Sequence, residues 1–116
     1  MALEIELMQD DRTWVLGLSG ELDYSECSSF SSYIDRILKD GPPAAIVDLS
    51  GLEYLDSSGL GLLLRLSKEY GSQGGRLVIV TNETVDNILS LTRLDAIFSI
   101  AGNTTEARQL IEEALS

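Results

Sequence analysis

Two short, uninterrupted apolar runs constrain this chain more than any other feature: Ala44-Ala45-Ile46-Val47 and Leu77-Val78-Ile79-Val80. Neither alternates apolar with polar residues, so both read as strands covered on two faces rather than one. Such strands need helices packed over them, and the remaining sequence supplies helical patterns. Cys27, Phe30, Ile34, Ile37 and Leu38 recur at helical spacing, predicting a helix over 25–39 with Asp23 or Ser25 as its cap and Gly41-Pro42-Pro43 as its end. Segment 57–71 predicts a second helix. Val85, Ile88, Leu89 and Thr92 mark one face of a third. Ala107, Leu110, Ile111 and Ala114 mark a fourth, opened by Asn103 and Glu106 in a capping-box arrangement.

The N-terminal part has a different period. Leu3, Ile5 and Leu7 alternate with Glu4 and Glu6, the pattern of a half-exposed strand. A second strand, TWVLGLSG, follows through the polar turn QDDR as a hairpin, and AIFSI predicts a last strand. The order β-β-α-β-α-β-α-β-α predicts one α/β domain over residues 1–116: a mixed, mostly parallel sheet with an N-terminal β-hairpin and about four α-helices.

Charge and absent residue types narrow the chemistry. Eight Lys+Arg against 19 Asp+Glu leave a net charge of -11, without a basic cluster. Such a surface repels phosphate backbones and anionic membranes, which argues against direct nucleic-acid or membrane binding and for a protein partner with a basic patch. A single cysteine, Cys27, cannot form an internal disulfide and fits a core position on the first helix. The N-terminus lacks a basic n-region and no apolar run reaches spanning length, so the expected location is cytoplasmic. There is no histidine, which removes Ser-His-Asp triads, Cys-His pairs and histidine-ligated metals. Lys68 stands eleven residues after Ser57, about 16 Å along a shared helix and too far for a Ser-Lys dyad. An enzyme using Ser57 as nucleophile would lack a base. No enzymatic activity and no cofactor are expected.

The segment Asp56-Ser57-Ser58-Gly59-Leu60-Gly61 is the chemically densest in the chain. Ser57 suits a helix N-cap, and equally a modifiable hydroxyl. Asp56 suits the positive end of a helix dipole. Gly59 and Gly61 are poor helix formers, explained either by close approach of a partner to the backbone or by tight helix–sheet packing. At 100° per residue, Leu60, Leu63, Leu64 and Ser67 share one side of this helix. Ser58, Gly61, Leu62 and Arg65 lie opposite, which predicts Leu62 as an exposed apolar contact for a partner.

Taken together, GELDYS, VDLSGLEYLDSSGLGLLLRL, GGRLVIV and LDAIFSI resemble the STAS domain of bacterial anti-sigma-factor antagonists, over nearly the whole chain. The resemblance implies that Ser57, the first serine after the aspartate, is phosphorylated, with Asp23 of GELD lying near it. It further implies a switch built from Asp23, Asp56, Ser57, Ser58, Gly59, Gly61 and Leu62. Unphosphorylated protein would bind an anti-sigma factor that is also a serine kinase, freeing a sigma factor; phosphorylation would end binding, and a serine phosphatase would restore it. ATP and Mg²⁺ would belong to the kinase. The alternative within the same resemblance is a STAS scaffold or adaptor in another regulatory or lipid-transport complex. One departure stands out: Arg93 occupies a position where the family usually has a small residue such as glycine before the turn into the last strand.

Overall fold

Five strands lie in one sheet whose spatial order repeats their order along the chain, β1-β2-β3-β4-β5, in a computed structural model that describes residues 3–9 and 12–115. Strand β1 (Leu3–Gln9) pairs antiparallel with β2 (Thr13–Leu22). Strands β3 (Ala44–Leu55), β4 (Arg76–Val80) and β5 (Ile100–Ala101) then add in parallel. The crossovers are helices α1 (Cys27–Asp40), α2 (Ser57–Ser72) and α3 (Glu83–Leu91), and α4 (Thr104–Leu115) closes the chain. Each crossover steps one strand in the same direction, and such connections keep one hand, so α1, α2 and α3 fall on one face of the sheet. Helix α4 packs on the other, over β3, β4 and β5.

The two apolar runs behave as their composition requires. Ala45, Val47, Leu77 and Ile79 enter the larger core with Phe30, Ile34, Leu63 and Leu66 of α1 and α2. Their neighbours Ala44, Ile46, Val78 and Val80 enter the smaller core with Ala107 and Ile111 of α4. Successive side chains of a strand point to opposite faces, so a strand buried on both sides must be apolar at every position. In β1 only Leu3, Ile5 and Leu7 pack against the core, while Glu4, Glu6 and Met8 are exposed. Two residues of the predicted hairpin turn, Asp10 and Asp11, lie outside the described residues.

Several boundaries differ from the sequence reading. The first helix starts as a 3-10 turn, Tyr24–Glu26, capped by Asp23, and Ser25 donates to that cap instead of serving as one. Cys27 is half-buried, not fully within the core. The predicted strand 96–100 is reduced to Ile100–Ala101. Leu94 and Phe98 both pack into the larger core, and the chain between them turns back, with Ile97 N–H donating to Leu94 O, which excludes an extended run. On α3, Val85 and Leu89 are buried but Thr92 is exposed, its hydroxyl bonding back to Ile88 O. On α4, Ala114 is exposed, while Asn103 caps the Glu106 N–H and the Glu106 carboxylate accepts from Gly102.

Helix α3 ends in a Schellman motif: Leu94 N–H donates to Leu89 O and Arg93 N–H to Ser90 O. This geometry puts Arg93 at φ 60 in the left-handed region, where glycine carries no Cβ penalty. Replacing Arg93 by glycine relieves that penalty but adds freedom to the unfolded chain. Arg93→Gly is therefore expected to stabilise the domain by about 0.5–1 kcal/mol, read as a higher urea midpoint with unchanged m-value.

At the far end of α2, the Tyr70 hydroxyl donates to Pro42 O, and burial pushes its pKa up to about 12. An unfolded tyrosine titrates near 10. The folded state thus holds this proton more tightly, and the associated stability is complete below pH ~10 and declines as pH rises toward ~12. Tyr70→Phe should remove this part of the alkaline loss, seen as a flatter stability profile above pH 10 in chemical denaturation.

Candidate functional site

The sequence-predicted site residues gather where β2 and β3 end side by side. Leu22 and Leu55 form the last register pair of these strands, and the Asp56 N–H donates to Leu22 O at 3.3 Å. Asp23 and Asp56 are therefore the first residues to leave the sheet, at the carboxyl edge where open α/β sheets commonly place their sites. Strand β3 reaches this edge through two irregularities: Asp48 to Gly51 runs opposite Gly17 to Ser19, and Leu52 to Tyr54 opposite Gly20 to Glu21. A bulge of this kind leaves backbone groups off the ladder. Asn82 takes up the carbonyls of Ser50 (3.1 Å) and Leu52 (2.8 Å) through its side-chain amide, while its oxygen caps α3 at Val85 N–H (2.9 Å). This grip of Asn82 on β3 is a tertiary contact that local pattern does not encode.

Asp56, not Ser57, is the N-cap of α2. Its backbone is extended, and its Oδ1 accepts from Ser58 N–H (3.0 Å) and Gly59 N–H (3.2 Å). Its Oδ2 accepts from Tyr24 N–H at 3.1 Å, so one carboxylate joins the start of α2 to the turn after β2. With a charged cap already satisfying the helix end, the Ser57 hydroxyl is not needed for capping, and Ser57 is exposed as the first residue of α2.

Asp23 sits across the same junction. Its Oδ1 accepts from the Ser25 hydroxyl (2.5 Å) and the Ser25 N–H (3.0 Å). The Ser25 hydroxyl foremost, with backbone hydrogen bonds assisting against partial burial, holds the Asp23 carboxyl below its ordinary value. Beneath them, the Cys27 thiol donates to Asp23 O (3.4 Å) and is pushed up first by burial, then by the charges of Asp56 and Asp23. Tyr24, whose N–H bonds Asp56, is 79% exposed, a large aromatic left in solvent on the turn after β2. Sequence reasoning passed over it, although a tyrosine in the otherwise polar stretch ELDYSE was a usable signal.

The two glycines have separate explanations. A Cβ on Gly59 would lie 2.6 Å from Leu22 Cγ and 2.9 Å from Leu55 Cδ1, so this glycine lets α2 sit close to the sheet. A Cβ on Gly61 meets nothing within 4 Å, and Gly61 stands exposed one turn after Ser57. Ser58 is half-buried. Leu62 is half-buried and packs against the core, which corrects its predicted full exposure. The buried face of α2 is Gly59, Leu60, Leu63, Leu66 and Tyr70. Helix α1 covers the adjacent side, where Arg65 pairs with Asp35 of α1 (2.8 Å) and with Glu69 (2.7 Å). Among the described residues no cluster of three metal-ligating side chains occurs, and no helix is long and apolar enough to cross a membrane.

The sequence model of the STAS domain family matches residues 4–107. The chain belongs to the STAS domain family. A Thermotoga maritima protein, provisionally named an anti-sigma factor antagonist, is 33% identical over 85% of this chain and 89% of its own. An anti-sigma F factor antagonist of Paenibacillus polymyxa is 30% identical over 97% of both chains. The crystal structure of an anti-sigma factor antagonist from Mycobacterium paratuberculosis superposes with a TM-score of 0.84 at 27% identity, covering 96% of this chain and 95% of that one. The mixed five-stranded sheet with four helices is thus the STAS fold.

In this STAS domain the glycines of α2 should respond oppositely to alanine. Gly59→Ala forces Leu22 or Leu55 to shift and should destabilise by about 1–3 kcal/mol, whereas Gly61→Ala adds helix propensity in open space and should stabilise by up to about 1 kcal/mol. Asp56→Ala, which removes the cap and the Tyr24 link, should cost about 1–2 kcal/mol. Thermal and urea unfolding of the three variants checks all three signs.

Proposed function

We propose that this STAS domain is an anti-sigma-factor antagonist that works in the cytoplasm as a phosphorylation-controlled binding module. The observation that carries the proposal is the exposed Ser57 on the first turn of α2, fixed by the Asp56 cap and flanked by the Asp23–Tyr24 turn. Relatives at or above 30% identity over most of this chain bear the name anti-sigma factor antagonist, which supports the partner class. Unphosphorylated, the edge formed by Tyr24, Ser57 and Gly61 docks an anti-sigma factor with serine kinase activity, and the sigma factor is released. Tyr24 offers the large exposed apolar area at this edge, and Gly61 leaves the helix backbone open to approach.

The switch follows from charge. The kinase transfers a phosphoryl group from ATP to Ser57 Oγ; an Oγ–P bond forms, the bond to the ADP leaving group breaks, and the hydroxyl proton departs. The product carries about -1.5 to -2 additional charge. Helix N-termini accept anions through free amides, but the Ser58 and Gly59 amides already serve Asp56. The new charge therefore faces outward beside Asp56 and Asp23, and a partner surface fitted to a neutral serine is repelled. The fold is unaffected because Ser57 is outside both cores. A serine phosphatase reverses the change.

The test is incubation with the host's anti-sigma kinases and Mg-ATP, site mapping by mass spectrometry, and calorimetric titration of each form. Ser57→Ala should bind but accept no phosphate, while phospho-Ser57 and Ser57→Asp should bind at least 100-fold more weakly, about 2.7 kcal/mol, with melting temperatures unchanged. Equal affinity of both forms, or phosphate on Ser58, would sink the switch; binding without any switch would indicate a scaffold role. Asp23→Asn should change the phosphorylation rate or kinase affinity while leaving thermal stability nearly intact. Unfolding with no separable kinase effect would reduce Asp23 to a turn cap.

A further inference from the structure

Among the described residues, one face of the sheet is only half covered. Helix α4 packs against β3, β4 and β5. A helix is about 10–12 Å across and strands lie about 4.8 Å apart, so one helix covers two or three strands. Beside α4, over β1, β2 and the outer part of β3, the sheet is left as a groove of about 600 Å³. Here β2 and β3 are parallel, and parallel pairs normally have both faces covered.

The strand register builds the groove's floor and walls. Glu6 lies opposite Gly17, and Gly17 opposite Asp48; Glu4 lies opposite Ser19, and Met8 opposite Val15. The floor is low because Gly17, Ser19, Ser50 and Gly51 are small. A Cβ on Gly17 would find only Glu6 O, at 3.8 Å, so nothing fills the space above it. Glu4, Glu6 and Asp48 line the walls with the exposed Met8, and no lysine or arginine is among the lining residues.

We propose that this bare face seats a basic amphipathic helix of a protein partner, laid beside α4 in the place a further helix of the domain would take. The dimensions agree: two strand spacings separate the Glu6 and Asp48 backbones by about 10 Å, the width of one helix, so each flank of the helix meets one carboxylate. A narrow apolar stripe lies over Gly17, and Met8 adds a flexible apolar contact. From Glu4 to Met8 the face runs about 14 Å, enough for roughly nine helical residues. Charge complementarity selects this occupant. A second copy of the chain would oppose like carboxylates, and nucleic acid would be repelled. The groove is on the α4 face, whereas the Ser57 hydroxyl stands at the start of α2 on the other face, so this surface is independent of the phosphorylation switch.

The test is a ¹H–¹⁵N NMR titration of the full chain with a 15-residue amphipathic peptide, a leucine stripe flanked by lysines. Controls are a scrambled peptide of the same composition and an isomer with glutamates for lysines. Expected are shifts confined to residues 4–8, 15–19 and 48–51, with affinity at least 10-fold weaker for E4K/E6K and for Gly17→Leu. Gly17→Leu fills the floor without changing charge, and melting curves confirm that both variants fold. Equal binding of the scrambled peptide, shifts spread over the whole acidic surface, or full affinity in both variants would overturn the proposal. So would concentration-dependent shifts of the same face without peptide, which would make a second copy its occupant.

Discussion

One carboxylate holds the site together. Asp56 accepts hydrogen bonds from Ser58, Gly59 and Tyr24, and its own N–H is tied to Leu22 O. Charge-assisted bonds of this kind are roughly twice as strong as neutral ones. Three of the four contacts reach α2 or the turn after β2, so the direction of the helix and the position of Tyr24 are set by the same side chain. Ser57 inherits its exposure from this arrangement. A serine that capped the helix itself would have its hydroxyl engaged with backbone amides and be less available for chemistry.

The cap works because the ground beneath it is rigid. Gly59 lets Leu22 and Leu55, the last paired residues of β2 and β3, press against the helix backbone. Asn82 fastens the irregular end of β3 by its carbonyls. In the proposed switch, a charge change at Ser57 would therefore be presented on a fixed scaffold and felt by the docked partner instead of being absorbed by the domain. On the α2 face, Arg65 links α2 to Asp35 of α1, though an exposed ion pair of this kind contributes at most about 1 kcal/mol.

The net charge of -11 acquires structure once the fold is known. Part of it lies beside Ser57, where Asp23 and Asp56 would set like charge against a phosphate in the proposed switch. Another part lines the uncovered sheet face, where Glu4, Glu6 and Asp48 stand across a glycine floor. The first lies at the carboxyl edge of the sheet by the start of α2 and the second on the α4 face, so the proposed switch and the proposed groove would occupy separate surfaces.

The sequence by itself determined the element types, their order and the two-sided burial of β3 and β4, because these depend on hydrophobic period and local caps. It also marked the Asp56–Gly61 stretch as the candidate site, and the family resemblance singled out Arg93, which the structure places in the left-handed region at φ 60. It misjudged which residue caps α2, since both Asp56 and Ser57 suit the role and only their position relative to Leu22 and Tyr24 separates them. It also misjudged Leu62, because a helical wheel shows angle but not the neighbour, and α1 occupies the side that an isolated helix would leave wet. The shortened β5 has the same origin: Leu94 and Phe98 both need the core, and the chain turns to deliver them. What only the tertiary structure decided is therefore every choice that depends on the distance between segments far apart in the chain, for which local sequence carries propensity but no coordinates.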